Sequence, residues 1–464
     1  MRLLPSEFYK FAYSFGGGGE VRVFEQAERR RGEAREIFLR ALDCTTVRAA
    51  VERSVRCEGG VLRVAGRTYE LARHHAICVV SVGKAGGSLF DAVDALLPAE
   101  MRRTAVVVAP ARPARMDAEV QYFAGGHPEP NAASMEAARA ALEMVRQCGA
   151  DALVVFLISG GASAMFELSL WDDVTLADVA LLNRLLIGCG ASIAEVNCVR
   201  KHLSRVKGGR LAVVAGRREK VTLLVSDVPE DALDSLGSGP SLADRSTVAD
   251  CLGVLERYGL WERLPASIRR GVEAGMEETP KPGHVAFRSA VTTVLLGNES
   301  VLEQAGAVAR RLGYVVVVDN RCDDWSCEDA AKYLLARLEA LRGRGRKVCL
   351  LSGGEVTVRL PEKVGVGGRN LQFCLYCVAQ GLAEGMTVLS AGTDGVDGNS
   401  PAAGAVVDGT TRARGNDSGL DVQTFLHGFD AYSYFAPLGD AIMMGPTGNN
   451  LRDVRVLLWD EDAR

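Results

Sequence analysis

The chain has 464 residues, 48% of them apolar and 24% charged, with 54 basic against 58 acidic side chains and a net charge of −4. That length suits two domains, each able to bury its own core. The near-balanced charge excludes a basic surface for nucleic acid or an anionic membrane, and no apolar run is long enough to span a bilayer.

Residues 1–34 are expected to form a loose N-terminal extension. Their start, MRLLPSEFYKFAYSFGGGGEVRVFEQ, is aromatic, then glycine-rich, then mixed in charge. It lacks both a signal-peptide apolar region and an Arg/Ser-rich stretch free of acids. The C-terminal WDEDAR carries no peroxisomal address. A cytoplasmic location follows, with organellar targeting by the extension left open.

From about residue 76, short β-branched runs alternate with helix-length amphipathic segments. The runs are AICVVSVG, TAVVVAP, DALVVFLISGG and VTLLVSD, then TTVLLG, YVVVVD, KVCLLSGG and MTVLSAGTDG. Continuous apolar strands ending in Gly, Ser or Asp indicate an α/β fold of largely parallel sheets covered on both faces. Ligands of such sheets bind beyond the carboxyl ends of the strands. The charged, proline-containing segment 262–290 lacks an apolar period and is read as the domain boundary. Domains are therefore expected at 35–270 and 285–464. The twelve cysteines are scattered. Only Cys374 and Cys377 form a C-x-x-C, inside an apolar helical stretch, so all twelve read as reduced packing residues.

Several fingerprints are missing. The sequence has no G-x-x-x-x-G-K-[ST], no protein-kinase set and no strand leading into G-x-G-x-x-G. It offers strand-end glycine loops instead. Ser159-Gly160-Gly161-Ala162-Ser163 follows a strand and opens a helix, where small residues admit a ligand to the backbone and free N–H groups favour an anion. The same reasoning extends to Ser352-Gly353-Gly354 and Gly445-Pro446-Thr447-Gly448. Lys84, directly after the run AICVVSVG, reads equally as a solvated lysine or as a point charge aimed at a phosphate or carboxylate.

In the helix IAEVNCVRKHLSRVKGG, Asn197, Arg200, Lys201 and Ser204 share one face, opposite Val196, Val199, Leu203 and Val206. With Lys207-Gly208-Gly209-Arg210 behind it, that polar face suits an anionic ligand, against the alternative of a solvated helix side. Asp227 ends VTLLVSD, and Asp244 follows a Ser-Gly-Pro turn. Thr393, Asp394 and Asp397 lie in GTDGVDG, which does not match a calcium loop. Acids at strand ends can serve as a general base or as magnesium-water ligands. Anion cradles, cations, magnesium and a proton acceptor are the parts phosphoryl transfer needs.

Nine blocks in order carry a resemblance. They are VGKAGG at 82–87, GGHPEPN at 125–131, LISGGASAM at 157–165, NCVRKHLSRVKGGRLA at 197–212, SDV at 226–228, GSGP at 237–240, GVGGRN at 365–370, GTDGVDG at 392–398 and GPTGNN at 445–450. Together they resemble the glycerate 2-kinase family that joins an N-terminal glycerate-kinase domain to a C-terminal MOFRL domain, over roughly residues 35–460.

The resemblance implies a larger Rossmann-like N-terminal domain and a smaller C-terminal α/β domain with a cleft between them. It implies ATP, Mg²⁺ and D-glycerate as ligands, with 2-phosphoglycerate as product. Lys84, Arg369 and Asp227 become the expected catalytic residues. Ser159, Gly160, Gly161, Ser163, Asn197, Arg200, Lys201, Lys207, Gly353, Glu355, Asn370, Thr393 and Asp394 are expected around substrate and phosphate, with Asp227 and Asp394 toward the metal. Asn131 stands where the family usually has Asp, Leu371-Gln372 where it has Gln-Glu, and Ala162 and Ser169 where Gly and Pro are common. An NAD(P)H-dependent hydroxypyruvate reductase and a non-catalytic sugar-phosphate-binding regulator are the rival readings. Neither nucleic acid nor membrane is expected as a partner, and a homodimer is left open.

Overall fold

The computed structural model describes residues 18–461, apart from 362 and 449. Residues 1–17 of the expected extension lie outside the described residues. Two compact units emerge. One comprises residues 45–297 with 448–451, and the other residues up to 44, 298–447 and those from 452 on.

The first unit begins with a small antiparallel sheet of β1 (Val55–Glu58), β2 (Val61–Val64) and β3 (Arg67–Glu70). Its main sheet holds β4 (Ile77–Val82), β5 (Arg103–Val108), β6 (Val120–Phe123), β7 (Leu153–Ser159), β8 (Lys220–Val225) and β9 (Ala290–Leu296). All pairings are parallel, in the order β6-β5-β4-β7-β8-β9. Every residue of β4, β7 and β8 is buried, as continuous apolar strands covered on both faces should be. From β4 the chain builds outward to β5 and β6, then returns to the other side of β4 for β7, β8 and β9. The direction of winding therefore reverses between β4 and β7, the crevice where doubly wound sheets bind ligands.

The second unit carries β10 (Val315–Val318), β11 (Lys347–Gly353), β12 (Met386–Gly392), β13 (Gly404–Asp408), β14 (Ala441–Ile442) and β15 (Asp453–Asp460). Their order is β10-β11-β15-β12-β13-β14. Only β10 and β11 pair in parallel. The other four pairings are antiparallel: β15 inserts between β11 and β12 and runs against both, and β13 runs against β12 and β14. The expectation of parallel sheets thus holds for the first unit and not for the second.

The boundaries also shift. Residues 18–44 form one helix that belongs to the second unit. Ala27, Ala34, Ile37, Phe38 and Ala41 make its buried stripe. Arg29 reaches Asp460 at 2.6 Å, and Arg31 reaches Asp408 and Asp440 at 3.3 Å each. This packing explains why 18–34 is no loose extension and why 35–44 does not open the first unit. At the other end, β9 pairs with β8, so the first unit runs to residue 297, past the expected boundary.

The twelve cysteines are all free, and Cys374 and Cys377 are buried in the helix Arg369–Gln380. Among the described residues no helix is long and apolar enough to cross a membrane.

Candidate active site

At the reversal point, the loop after β4 meets the loop after β7. Lys84 donates its backbone N–H to Gly160 O at 2.8 Å, and Ala85 donates to Ser159 Oγ at 3.0 Å. A Cβ on Gly83, whose φ is +118°, would sit 2.4 Å from Ser159 Oγ, so only glycine allows this approach. The helix Gly86–Asp94 starts two residues after Lys84, whose side chain is exposed beyond the carboxyl end of the central strand β4. Among the described residues Lys84 makes no ion pair.

Ser159-Gly160-Gly161 opens a single helical turn, Ala162–Met165. The first N–H groups of such a turn have no partner within it. Three side chains close around the two glycines. A Cβ at Gly160 would lie 2.1 Å from Asp227 Oδ2, so the Asp227 carboxylate from the end of β8 rests against that glycine. A Cβ at Gly161, φ +84°, would lie 3.1 Å from both Lys84 Cγ and His127 Cδ2. A cation, a carboxylate and an imidazole thus surround one glycine loop. Partial burial first, and the Lys84 ammonium second, push the His127 imidazole below its ordinary value.

Ser163 joins this loop to the helix Ile193–Leu203. Its hydroxyl lies 2.8 Å from Ser238 Oγ, which donates to Asn197 Oδ1 at 3.0 Å. The other residues of that polar face have protein partners. Lys201 Nζ binds Asp234 at 2.6 Å and Asp244 at 3.2 Å. Arg200 Nε donates to Asn183 at 2.9 Å. Lys207, fully buried, pairs with Glu167, and burial pushes its ammonium down. Ser204 caps the helix end at 1% exposure. Lys201 and Lys207 are therefore engaged in ion pairs with internal acids, whereas the partner of Arg200 is a neutral amide.

In the second unit the other expected residues gather at the ends of β11 and β12. Arg369 grips Asp453 through Nε at 2.6 Å and Nη2 at 3.2 Å, and Nη2 also reaches Glu355 at 2.7 Å. Among the described residues its Nη1 edge contacts no protein acceptor. Burial pushes the Glu355 carboxyl up, with Arg369 opposing.

The Gly353 loop is closed from within. Gly353 N–H goes to Asn320 Oδ1 at 2.9 Å, Gly354 N–H to Asn298 Oδ1 at 3.0 Å and Glu355 N–H to Asp323 Oδ1 at 2.9 Å. The Arg455 guanidinium caps the carbonyls of Gly353 and Gly354. No helix starts here either, so Gly353 does not offer the anion cradle expected of it. The loop at 445–448 likewise leads toward β15 and not into a helix.

Asn370, 1% exposed, accepts from Ser390 Oγ at 2.6 Å and is held by Asp397. Thr393 donates to Arg452 O at 2.8 Å. Asp394 is half-buried and accepts the Val396 N–H at 3.3 Å. Among the described residues no cluster of three or more metal-ligating side chains forms.

The residues that depart from the family pattern have structural tasks. Asn131 caps the helix Ala132–Gln147, accepting the Ser134 N–H at 2.9 Å while its amide donates to Ala124 O at 3.0 Å. Asn caps as well as Asp does, and only Asn makes the second bond. Gln372 is buried and donates to Leu426 O at 3.0 Å. Sequence reasoning quoted His127 within a motif but gave it no role. The signal was a histidine held between glycine and proline ahead of a helix cap.

Residues 33–273 match the family model described as a domain of unknown function (DUF4147), and residues 348–453 match the MOFRL family. A D-glycerate 2-kinase of Thermotoga maritima is 35% identical over 82% of this chain and 89% of its own length. A protein of Agrobacterium vitis provisionally named a hydroxypyruvate reductase is 36% identical over 82% and 86%. The crystal structure of a Thermotoga maritima glycerate kinase superposes with a TM-score of 0.79 at 31% identity, covering 93% of this chain and 100% of that one. With both domain models matched in order and relatives of this kind along most of its length, the chain belongs to the glycerate 2-kinase family that joins a DUF4147 domain to a MOFRL domain.

Proposed function

We propose that this protein transfers the terminal phosphoryl group of ATP to the 2-hydroxyl of D-glycerate, releasing 2-phosphoglycerate and ADP. The observation that carries the reading is the meeting of Lys84, the Ser159–Ser163 loop and Asp227 at the reversal point of the parallel sheet. Phosphoryl transfer asks a protein mainly for positioning and electrostatic stabilisation. Glycines 160 and 161 let phosphate oxygens approach backbone N–H groups. Lys84, exposed and without an ion pair among the described residues, has its charge available to the group in flight.

Magnesium enters as the ATP complex. Mg²⁺ typically takes one or two carboxylates and keeps its other contacts to water and phosphate. A single acid such as Asp227 beside the phosphate loop fits that donor set. Asp394, in the second unit, is the other acid that the resemblance sets toward a metal. In the second unit, Arg369 is the candidate cation, through the Nη1 edge that its acids leave uncommitted.

The test is ADP release by the purified protein with ATP, Mg²⁺ and D-glycerate, each omitted in turn. Release should require all three. Oxidation of NADH with hydroxypyruvate in the absence of ATP would instead support the reductase name carried by the Agrobacterium relative.

A further inference from the structure

The run Gly125–Asn131 is pinned at both ends, and that fixes where His127 sits. Gly125 packs so tightly that a Cβ would lie 2.6 Å from Met165 O and 2.8 Å from Val108 Cγ1. Gly126 donates to Ser134 Oγ at 3.0 Å, and Asn131 caps the helix that Ser134 belongs to. The run is thereby tied to the end of β5, to the turn Ala162–Met165 and to the helix Ala132–Gln147. Between these anchors the imidazole edge and the Lys84 stem converge on Gly161, each 3.1 Å from the place a Cβ would take. Among the described residues the exposed ring has no hydrogen-bond partner. Glu129, two residues along, points to Arg184 at 3.5 Å, and Asp227 lies on the Gly160 side of the loop.

We propose that His127 contacts the acceptor substrate, hydrogen-bonding the D-glycerate hydroxyl that receives the phosphoryl group and taking its proton. This rests on the kinase reading above. As the hydroxyl oxygen bonds to the γ-phosphorus, the bond from that phosphorus to the β–γ bridging oxygen breaks, and ADP leaves with the electron pair. The hydroxyl proton passes to the ring nitrogen that carries no hydrogen, and from the partly exposed ring to solvent. Two features favour the imidazole over Asp227. A neutral base brings no negative charge beside the phosphates, whereas a carboxylate there repels them. Partial burial and Lys84 both disfavour the imidazolium, so the ring is held unprotonated and ready to accept.

His127→Ala and His127→Gln test this beside the wild type. A lost proton acceptor lowers kcat by roughly a hundredfold or more. Both variants should show that loss with an unchanged melting temperature and an unchanged KM for ATP. Added imidazole should restore part of the turnover of His127→Ala, which a merely structural role does not allow. Turnover within about threefold of wild type in either variant overturns the proposal, on the scale by which proton transfer contributes. So does a loss in His127→Ala that imidazole leaves untouched. If His127→Ala does not fold, the larger His127→Gln decides alone: a loss at unchanged melting temperature supports the assignment, and wild-type turnover ends it. A wild type without glycerate-dependent ADP release would point to failure of the kinase reading itself, and the assignment would fall with it.

Discussion

Two strands of this protein lead into nearly the same residues, Leu-Ile-Ser-Gly-Gly at β7 and Leu-Leu-Ser-Gly-Gly at β11, and the structure uses them in opposite ways. After β7 the loop opens a helical turn at the reversal point of a parallel sheet, with an exposed lysine beside it. After β11 the loop meets side chains that take its amides and carbonyls: Asn320, Asn298, Asp323 and Arg455. The two Ser-Gly-Gly strand ends therefore differ in whether neighbouring side chains occupy their backbone amides, which they do after β11. The same contrast separates the cations. Lys84 keeps its charge available, whereas Lys201 and Lys207 spend theirs on Asp234, Asp244 and Glu167.

The largest effect expected from this contrast is at Lys84. Lys84→Ala should lower kcat about a hundredfold, near 2.7 kcal/mol of transition-state stabilisation, without changing the melting temperature. Steady-state kinetics with a thermal melt reads both. Near-wild-type turnover would return Lys84 to a solvated lysine and remove the difference between the two loops.

The glycines sharpen the contrast next. Gly160→Ala drives a methyl into Asp227, and Gly353→Ala drives one into Asn298, whose Oδ1 lies 1.6 Å from the Cβ position. The first should cost turnover, roughly tenfold to a hundredfold on the scale of a misplaced catalytic group. The second should cost stability, roughly 1–3 kcal/mol for overpacking, with KM values unchanged. Denaturant melts and kinetics on both variants separate the two. Equal stability losses with equal kinetics would mean the loops do the same work.

How much of this was legible follows from what a strand's own residues can encode. All eight apolar runs read from the sequence are strands. The parallel direction of the strands in the first main sheet was also anticipated, since helix-length segments separate most of them. Strand direction in the second sheet was not. β15, VRVLLWD between Asp453 and Asp460, is buried throughout and lacks the alternation that marks a one-sided antiparallel strand. The helix Ile193–Leu203 shows a second limit. Its polar face reads the same whether it awaits a ligand or an internal acid, and the acids arrive from residues 167, 234 and 244. Lys84 and Asp227 were placed correctly at strand ends. That they share one glycine loop with His127 depends on strand order, which no local stretch contains.

The smallest effect tests the second unit alone. Asp397 accepts the N–H groups of Asn370 and Leu371, yet burial outweighs those bonds and pushes its carboxyl up to about 6. A folded-state value raised above the ordinary 3.8 gives a contribution that is full below that value and is lost as pH rises through about 6. Melting temperatures of wild type and Asp397→Asn between pH 4 and pH 7 should thus drift in favour of the variant as pH rises. A constant difference would place Asp397 at its ordinary value.

The most direct test of the account is the ³¹P NMR spectrum of the product formed from ATP, Mg²⁺ and D-glycerate. The account predicts a new phosphomonoester resonance that coincides with added 2-phosphoglycerate and rises as ADP rises. A resonance that coincides with 3-phosphoglycerate, or ADP formed without any phosphorylated glycerate, would contradict it.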